Sequence, residues 1–334
     1  MNITTTITHL PYYRKYLLIE NALHAFFEKK KYLRLHLPVL SPVLIPESYM
    51  EVFKTEFQFI DKKKDLFLTP SPELFIKRLL AEGVGDCYTL TKAFRNSEPS
   101  SSLHNVEFTM LEFYKVHADY TYLKKETAEL FSSIAEHILG KNSMKVRGKQ
   151  VIFSDSWEEI SVAVAFKRYA DIDRDELFNH KLFFKKAKQK KYSIEKMSYE
   201  DVFSIIYTQE IEPHLGIRGT PTIIYDYPKE MAALAQLNSD GVTAQRFEFY
   251  VSGIELGDAY TELTDWKEQK KRFLIEEKKR KEMGKITHPT DWSFVDALKK
   301  GLPPCTGMAI GFDRMAMIFA GCDDISQMKL INST

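Results

Sequence analysis

The stretch FRNSEPSSSLHNVEFTMLEFY, residues 94–114, carries the pattern that decides the fold. Its second half alternates with the period of a β-strand. The side chains of one face of that strand are Phe108, Met110, Glu112 and Tyr114. The preceding segment CYTLTKAFR, residues 87–95, alternates in the same way and ends at an arginine. Because a Ser-rich turn joins the two runs, the pattern predicts a long antiparallel hairpin with Arg95 beside its loop.

Composition restricts the class of protein. The chain has 334 residues, of which 44% are hydrophobic and 28% charged, and these values are typical of a globular protein. A net charge of +1 gives no overall basic field for general nucleic-acid binding. No apolar run approaches the roughly 18 residues of a spanning helix, and the N-terminal residues lack a signal-peptide pattern. The three cysteines have no zinc spacing. We expect a cytoplasmic protein without a membrane partner or a structural metal.

Other segments complete an α+β chain, because antiparallel hairpins alternate with helices rather than forming βαβ units. Helices are predicted over 12–32, 71–83 and 266–284, a mainly helical region over 121–215, strands over 32–40 and 222–228, and a strand that feeds a helix over 306–321. The lysine-rich segment 180–192 has two interpretations, a solvated helix face or a docking surface for an acidic partner. No linker or repeat divides the chain, so we predict a single domain over 1–334.

A second hairpin is predicted in RFEFYVSGIEL, residues 246–256. If Ser252-Gly253 is its two-residue turn, Tyr250 pairs with Glu255 and Glu248 lies diagonally opposite on the same face. Two adjacent carboxylates repel each other unless a cation lies between them. Mg²⁺, which binds one or two carboxylates together with substrate phosphates, is the natural cation. The alternative interpretation is that one glutamate is merely exposed to solvent.

The next strand adds more carboxylates in GDAYTELTD, residues 257–265. Strict alternation would put Asp258, Tyr260 and Glu262 on the face opposite Glu255. Gly257 is a suitable place for a β-bulge that reverses this arrangement.

The segment GMAIGFDR, residues 307–314, predicts a strand that ends at Gly311 and a helix with Asp313 as its N-cap. Arg314 then falls in the first helical turn, where its charge adds to the positive end of the helix dipole. Such an unfavourable position indicates that a polyanion binds there. Since neither GxxxxGK[ST] nor GxGxxG is present, a nucleotide site would be of another kind.

In this order the segments resemble the three motifs of class II aminoacyl-tRNA synthetases. LHLPVLSP is similar to motif 1, FRNSE with HNVEFTMLEFY to motif 2, and GMAIGFDR to motif 3. SPELFIKRLL and RFEFYVSGIEL resemble the lysyl-tRNA synthetase branch. The resemblance covers residues 12 to 325 and implies an antiparallel β-sheet flanked by helices.

The resemblance implies a role for each matching residue. Arg95 matches the arginine that holds the substrate carboxylate and the α-phosphate, and Arg314 the arginine on the γ-phosphate; both count as catalytic. Phe108 matches the aromatic residue that stacks on adenine. The remaining ATP-binding positions are Glu98, His104 and Asn105, with Glu248 and Glu255 as the Mg²⁺ ligands. The positions expected to bind the amino-acid substrate are Glu73, Glu112, Tyr114, Asp258, Tyr260, Glu262 and Ala309.

Two features resemble one paralogous family, the elongation factor P–(R)-β-lysine ligases. The motif-1-like segment begins near residue 32, which leaves no room for an N-terminal OB-fold that reads an anticodon. Ala309 stands where synthetases usually have glycine, and one added methyl group changes which isomer fits a tight pocket. The resemblance implies that ATP activates (R)-β-lysine or lysine and that a lysine of elongation factor P accepts the acyl group. It also implies a homodimer and no tRNA partner.

Three departures from the family pattern affect this prediction. Ser97 replaces a glutamate, with Glu98 one position later. The loop PSSSL, residues 99–103, is one residue longer and lacks an arginine, a loss worth about 1.5–3 kcal/mol for a charged hydrogen bond to the triphosphate. Asp258 replaces an asparagine, and its carboxylate would repel a substrate carboxylate. Two alternatives therefore stay open, a lysine-activating enzyme with another acceptor and a non-catalytic synthetase-like binding protein.

Overall fold

A computed structural model describes residues 3–97 and 100–333. The chain divides into two compact units. The first unit comprises Met1–Ala118 and Leu263–Thr334, and the second comprises Asp119–Glu262. Among the described residues, no helix is long and apolar enough to cross a membrane.

The elements follow in chain order. The first segment of the first unit contains β1 (Ile3–Thr5), α1 (Leu10–Lys29), β2 (Leu33–Arg34), β3 (Leu40–Ser41), β4 (Phe53–Phe59), β5 (Lys62–Leu68), α2 (Glu73–Ala81), β6 (Cys87–Phe94) and β7 (Glu107–Val116). The second unit contains α3 (Tyr120–Leu139), β8 (Ser143–Val146), β9 (Lys149–Ile152), β10 (Glu158–Ser161), α4 (Val162–Ala170), α5 (Arg174–Leu177), α6 (His180–Gln189), α7 (Tyr199–Ile206), β11 (Thr222–Pro228), β12 (Thr243–Val251) and β13 (Ile254–Thr261). The first unit resumes with α8 (Trp266–Glu282), α9 (Trp292–Gly301), β14 (Cys305–Gly311), α10 (Phe312–Ala320) and β15 (Ile331–Ser333).

The first unit is built around strands in the order β14-β7-β6-β2. β7 pairs antiparallel with both β14 and β6, so the predicted hairpin over residues 87–114 is confirmed. One face of these strands is covered by α1, whose Phe27 ring stacks on Tyr88 at 4.5 Å and contacts Phe113 at 5.0 Å. The helix buries its apolar residues at helical spacing on this side: Ile19, Ala22, Leu23, Phe26 and Phe27.

A smaller sheet in the first unit has the order β3-β5-β4. Strands β4 and β5 pair over seven residues each and are joined by the two-residue turn Ile60-Asp61, which makes an extended two-stranded ribbon. Only the last part of β5 is buried, through Phe67. Most of the ribbon is therefore exposed.

The second unit contains strands in the order β10-β11-β12-β13, with α3 against the last two. The Phe249 ring packs against Phe131 of α3 at 5.3 Å and against Trp157 at 5.5 Å. A separate apolar cluster lies among α4 to α7, where the Phe166 and Phe203 rings stack at 4.9 Å. A π-helical turn, Tyr207–Ile211, follows α7 directly.

Two predictions of secondary structure need correction. Two short strands, β2 and β3, replace the single strand predicted over 32–40. Pro38 lies between them, and a proline cannot donate a backbone hydrogen bond to a neighbouring strand. The region 121–215 is mainly helical, as predicted, and it also includes the short strands β8, β9 and β10. The N-cap of α10 is Gly311 and not Asp313. The other predicted helices and strands lie within a few residues of their expected bounds.

The prediction of Asp313 as an N-cap failed because of contacts that are distant in sequence. The Asp313 carboxylate accepts a hydrogen bond from the Thr109 backbone N–H at 3.1 Å and from the Tyr16 hydroxyl at 3.4 Å. Burial, together with the negative charge of Asp313, raises the pKa of the Tyr16 hydroxyl well above its usual range. Asp313 therefore fastens α10 to β7 and α1, all within the first unit.

Candidate active site

The first predicted site residues meet at the loop end of the β6–β7 hairpin. The Arg95 backbone N–H donates to the Val106 carbonyl at 3.0 Å, which extends the ladder by one pair beyond β6. The Arg95 guanidinium carbon lies 5.3 Å from the centroid of the Phe108 ring. Both side chains are half-buried. A guanidinium and an aromatic face at one point suit an anionic ligand with a planar ring.

The loop between the two strands is organised by Ser101. Its hydroxyl oxygen accepts the backbone N–H groups of Leu103 and His104 at 3.2 and 3.1 Å, and it lies 3.1 Å from His104 Nδ1. The Nε–H of Arg314 donates to the Leu103 carbonyl at 2.9 Å. Arg314 is the third residue of α10, in the first turn as predicted, and it ties that helix to the loop. Glu98 lies outside the described residues.

Asn105 occupies a different position from Phe108. It lines a cavity of about 520 Å³ together with Tyr16, Lys92 and Asp313. Lys92 pairs with Thr109, so it lies on the face of the hairpin opposite Phe108. The role of Asn105 near a nucleotide stays a prediction.

Glu112 is held by hydroxyl groups. The Ser71 hydroxyl donates to Glu112 Oε1 at 2.5 Å, and the Tyr114 hydroxyl donates to Oε2 at 3.2 Å. The glutamate is 2% exposed and Tyr114 is buried beside it. Neutral donors orient a carboxylate without adding positive charge, so this arrangement suits a ligand that carries an ammonium group.

Small residues surround this face of β7. On β14, Ala309 pairs with Glu112, and Gly307 and Gly311 pair with Tyr114 and Met110. On β6, Thr89 pairs with Glu112, and Cys87 and Thr91 pair with Tyr114 and Met110. Because paired residues point to the same side of a sheet, small side chains on both flanks leave room for a ligand above Glu112. Ala309 thus adjoins Glu112 directly.

Glu73 begins α2 and is bound to a lysine that the sequence analysis overlooked. Its backbone N–H donates to Ser71 Oγ at 3.1 Å, and its carboxylate forms an ion pair with Lys77. Lys77 is 2% exposed, and its ammonium lies 5.7 Å from the centroid of the Phe294 ring. The four-residue spacing of Glu73 and Lys77 on a helix was the signal that could have identified this pair.

In the second unit, Glu248 lies within a charged and phenolic cluster. Arg246 Nη2 donates to Glu248 Oε1 at 2.8 Å, while Oε2 accepts the hydroxyls of Tyr250 at 2.8 Å and Tyr207 at 3.4 Å. The Tyr207 hydroxyl is also 2.7 Å from that of Tyr227. Burial, with the negative charge of Glu248 as the next cause, raises the pKa of all three phenols well above the usual range. They therefore remain hydrogen-bond donors at neutral pH.

Arg246 is the central cation of this cluster, and the sequence analysis did not identify it. Its guanidinium lies 4.7 Å from the centroid of the Tyr227 ring and donates to the Met231 carbonyl. Burial opposes its charge, but Glu248 and Asp258 raise the pKa of the Arg246 guanidinium above its ordinary value. An arginine two residues before a glutamate on the same strand face was a readable signal.

The β12–β13 hairpin has the predicted register. Tyr250 pairs with Glu255 across the Ser252-Gly253 turn. The register shifts between Phe249 and Tyr250, which leaves Leu256 as the extra residue of a bulge beside Gly257. The bulge brings Glu255 to the same face of the hairpin as Asp258 and Tyr260. Asp258 pairs with Glu248, Tyr260 pairs with Arg246, and the buried Glu262 lies two residues further along.

The donor set of this face fits Mg²⁺. Glu248 and Glu255 lie diagonally across the hairpin, and Glu248 Oε1, which accepts the Arg246 hydrogen bond, keeps a second lone pair. In the described part of the chain, no group of three or more His, Cys, Asp and Glu side chains could hold a metal ion. Mg²⁺ needs no such group where substrate phosphates and water supply the other ligands.

Comparison with known proteins supplies the family. Residues 14–331 match the family model of tRNA synthetases class II (D, K and N). The chain belongs to that family. Its curated relatives include three proteins named elongation factor P–(R)-β-lysine ligase. The one from Histophilus somni is 34% identical over 310 residues, 92% of this chain and 90% of the relative. That from Avibacterium paragallinarum is 35% identical over 309 residues, covering 91% and 89%. That from Salmonella paratyphi A is 33% identical over 324 residues, covering 96% and 94%.

Family membership agrees with the resemblance that the sequence motifs predicted, and it confirms the α+β class II synthetase fold. The matched range includes the three motif-like segments and both hairpins. The Ser-rich loop that lacks an arginine also lies inside this range. The roles of the individual site residues stay predictions.

Proposed function

We propose that the chain is an AMP-forming ligase that activates (R)-β-lysine, or lysine, with ATP and transfers the acyl group to a lysine of elongation factor P. The relatives named for this activity share 33–35% identity over more than nine-tenths of the chain. The observation that carries the proposal is the position of Ala309 directly opposite Glu112 on a face of otherwise small neighbours. A carboxylate oriented by hydroxyls binds the substrate ammonium, and the alanine methyl group limits where that ammonium lies.

In the first unit, Arg95 and Phe108 bind the α-phosphate and the adenine ring, respectively. Arg314, fixed to the loop through Leu103, binds the γ-phosphate. His104 and Asn105, together with Glu98, complete the nucleotide contacts. Glu112, Tyr114 and Glu73 hold the amino groups of the substrate. These assignments are the ones that the resemblance implies, and each agrees with the chemistry of its side chain: guanidinium with phosphate, ring with base, and carboxylate with ammonium.

In the second unit, Glu248 and Glu255 would hold Mg²⁺, which supplies charge neutralisation for the pyrophosphate when bound. Arg246 and the three phenols fix the direction of the Glu248 carboxylate. Tyr260 and Glu262 contribute to substrate binding. Asp258 departs from the family asparagine, but Arg246 Nε lies 3.7 Å from its carboxylate. The guanidinium offsets part of the repulsion that Asp258 would exert on a substrate carboxylate.

The reaction has two steps. A substrate carboxylate oxygen attacks the α-phosphorus of ATP in line, the bond to the bridging oxygen breaks, and pyrophosphate leaves. The ε-amine of the acceptor lysine then attacks the acyl carbon, AMP leaves with the bonding electrons, and the new amide loses a proton to solvent. Arg95 and Arg314 stabilise the negative charge that develops in the first step. Positioning of the reactants accounts for the rest, so no side-chain nucleophile is required.

The proposal extends to the setting of the enzyme. It acts in the cytoplasm as one catalytic domain, without a tRNA partner, and as a homodimer. The exposed apolar residues Leu17 and Leu18 of α1, at 41% and 53%, support a dimer interface on that helix.

The test is amino-acid-dependent exchange of pyrophosphate into ATP, run with (R)-β-lysine, lysine and other amino acids, followed by acyl transfer to elongation factor P. We expect exchange with a lysine isomer and a mass increase on elongation factor P. Ala309→Gly should change the ratio of exchange rates with the two isomers while leaving the ATP KM unchanged. Charging of tRNA, or the absence of exchange with any amino acid, would overturn the proposal.

A further inference from the structure

The β4–β5 ribbon of the first unit has two unlike faces. One face is polar and internally paired. Lys54 forms an ion pair with Asp65 at 2.8 Å, and Lys63 forms one with Glu56 at 3.0 Å. The amide of Gln58 donates to the same Glu56 carboxylate at 2.5 Å. Solvent and these pairs satisfy this face without any partner.

The other face is apolar and cationic. Phe57 and Phe59 are 52% and 60% exposed, and they pair across the ribbon with Lys64 and Lys62. Paired residues point to the same side, so the two rings and the two ammonium groups form one surface. Within residues 3–97 and 100–333, neither lysine has an ion pair. Adjacent exposed aromatic rings of this size mark a surface that another molecule covers.

The tip of the ribbon also indicates that another molecule covers this face. Ile60 is 85% exposed and has a φ of +53°, in the left-handed region. β-branched residues rarely adopt that conformation, and glycine or asparagine would occupy it with less strain. An isoleucine that is 85% exposed in a strained turn buries little apolar area within the ribbon. It extends the apolar surface of Phe57 and Phe59.

Both strands of the ribbon are anchored at its base, beside site residues of the first unit. At the start of β4, the Asn96 backbone N–H donates to the Glu51 carbonyl at 3.0 Å, and the Asn96 amide donates to Val52 at 3.2 Å. Asn96 directly follows Arg95. The buried Arg280 donates to the Met50 carbonyl at 2.6 Å and holds the same segment. At the same base, β5 ends three residues before Ser71, whose hydroxyl binds Glu112.

We propose that the surface formed by Phe57, Phe59, Ile60, Lys62 and Lys64 docks the acceptor protein of the second step. This inference rests on the proposed function, because it needs an acceptor that is a protein. The two free-standing ammonium groups select an acidic surface near the acceptor lysine, and the rings select an apolar patch within it. Since both strands are anchored beside Asn96 and Ser71, a protein bound along the ribbon can extend from its tip to the activated acyl group.

Two other occupants fit this surface less well. A second copy that packed the same surface against itself would bring Lys62 and Lys64 against their own counterparts, and like charges repel. A nucleic acid is bound mainly through many phosphate contacts, whereas this surface offers two lysines, no arginine and a larger apolar part. The acidic protein is the occupant that uses both parts of the surface.

The test separates activation from transfer. The variant is Phe57→Ser with Phe59→Ser, and its charge counterpart is Lys62→Glu with Lys64→Glu. We expect both to keep the wild-type rate of pyrophosphate exchange and to raise the KM for elongation factor P about 10-fold or more, as loss of central interface contacts does. The matched control is Lys54→Glu with Lys63→Glu, which makes the same charge change on the polar face. A second control is Lys181→Glu with Lys185→Glu on the lysine-rich helix α6. Both controls should keep the wild-type KM.

Each other outcome would overturn the inference. An unchanged KM for elongation factor P in the ribbon variants, with normal exchange and transfer by the wild type, overturns the docking surface alone. An equal rise in KM for the controls shows a general effect of charge. A change from dimer to monomer in sedimentation of Phe57→Ser with Phe59→Ser assigns the surface to a second copy. Absence of transfer by the wild type overturns the proposed function and the docking surface with it.

Discussion

Two strands of the molecule carry the same tripeptide, Glu-Phe-Tyr, at 112–114 in β7 and at 248–250 in β12. The local geometry is the same in both. The tyrosine hydroxyl donates to the glutamate two residues earlier, at 3.2 Å in the first unit and 2.8 Å in the second. The phenylalanine between them is fully buried on the opposite face in each case. Sequence and strand period alone would assign the two glutamates one role.

The neighbours make the two carboxylates different. Glu112 also accepts a hydrogen bond from the neutral Ser71 hydroxyl, beside the small residues of β14. Glu248 accepts from the Arg246 guanidinium and from Tyr207. The arginine beside Glu248 compensates its charge and fixes its direction, while the hydroxyl groups of Ser71 and Tyr114 orient the Glu112 carboxylate. The difference is set by residues outside the tripeptide.

The largest expected effect concerns the free energy of unfolding. Arg246→Met removes the cation from a nearly buried ion pair, and this should lower the free energy of unfolding by about 3–5 kcal/mol. The measurement is the midpoint of urea unfolding. Arg218→Met is the control, since its ion pair with Glu158 has a largely exposed guanidinium and should contribute about 1 kcal/mol or less. If both substitutions lowered the free energy of unfolding equally, Arg246 would not compensate the charge of Glu248.

A smaller effect is expected on activation of the amino acid. Glu112→Gln should lower kcat/KM for the amino acid about 10- to 150-fold, because a hydrogen bond to a charged group contributes about 1.5–3 kcal/mol. The ATP KM and the unfolding midpoint should stay close to wild type. Pyrophosphate exchange at varied amino-acid concentration measures this. A parallel rise in the ATP KM would show that Glu112 acts on the nucleotide instead.

The smallest effects come from the two tyrosines, and they test the comparison most directly. Tyr114→Phe and Tyr250→Phe each remove one hydroxyl, a change of about 0.5–1.5 kcal/mol. We expect Tyr114→Phe to raise the amino-acid KM and Tyr250→Phe to raise the Mg²⁺ concentration that gives half-maximal exchange. Each variant serves as the control for the other. If both moved the same parameter, the two carboxylates would share one role.

Local patterns predicted the two hairpins well because their information lies within a few residues. The Ser252-Gly253 turn determined the pairing of Tyr250 with Glu255, and the bulge beside Gly257 placed Asp258 with Glu248. Phe108, Glu112 and Tyr114 share a face simply because the strand period is two. For these residues the sequence was sufficient to predict which side chains lie together.

Long-range partners were the part that local patterns could not predict. Asp313 was expected to cap its own helix, but Thr109 and Tyr16 bind its carboxylate. Tyr207 reaches Glu248 from a π-helical turn 41 residues away. The ribbon over residues 53–68 had a readable alternation of Phe53, Thr55, Phe57 and Phe59, which the sequence analysis did not use.

The bulge at Leu256 has a consequence for how this segment can vary. Side chains on one face of a regular strand are an even number of residues apart, yet Glu255 and Asp258 share a face at a distance of three. If the bulge stayed in place, deletion of Leu256 or Gly257 would turn Glu255 away from Asp258, Tyr260 and Glu262. The segment between Glu255 and Asp258 can therefore accept changes of residue type, but a change of its length by one residue would have to remove the bulge as well. The number of residues in the bulge, and not their type, determines which carboxylates share this face.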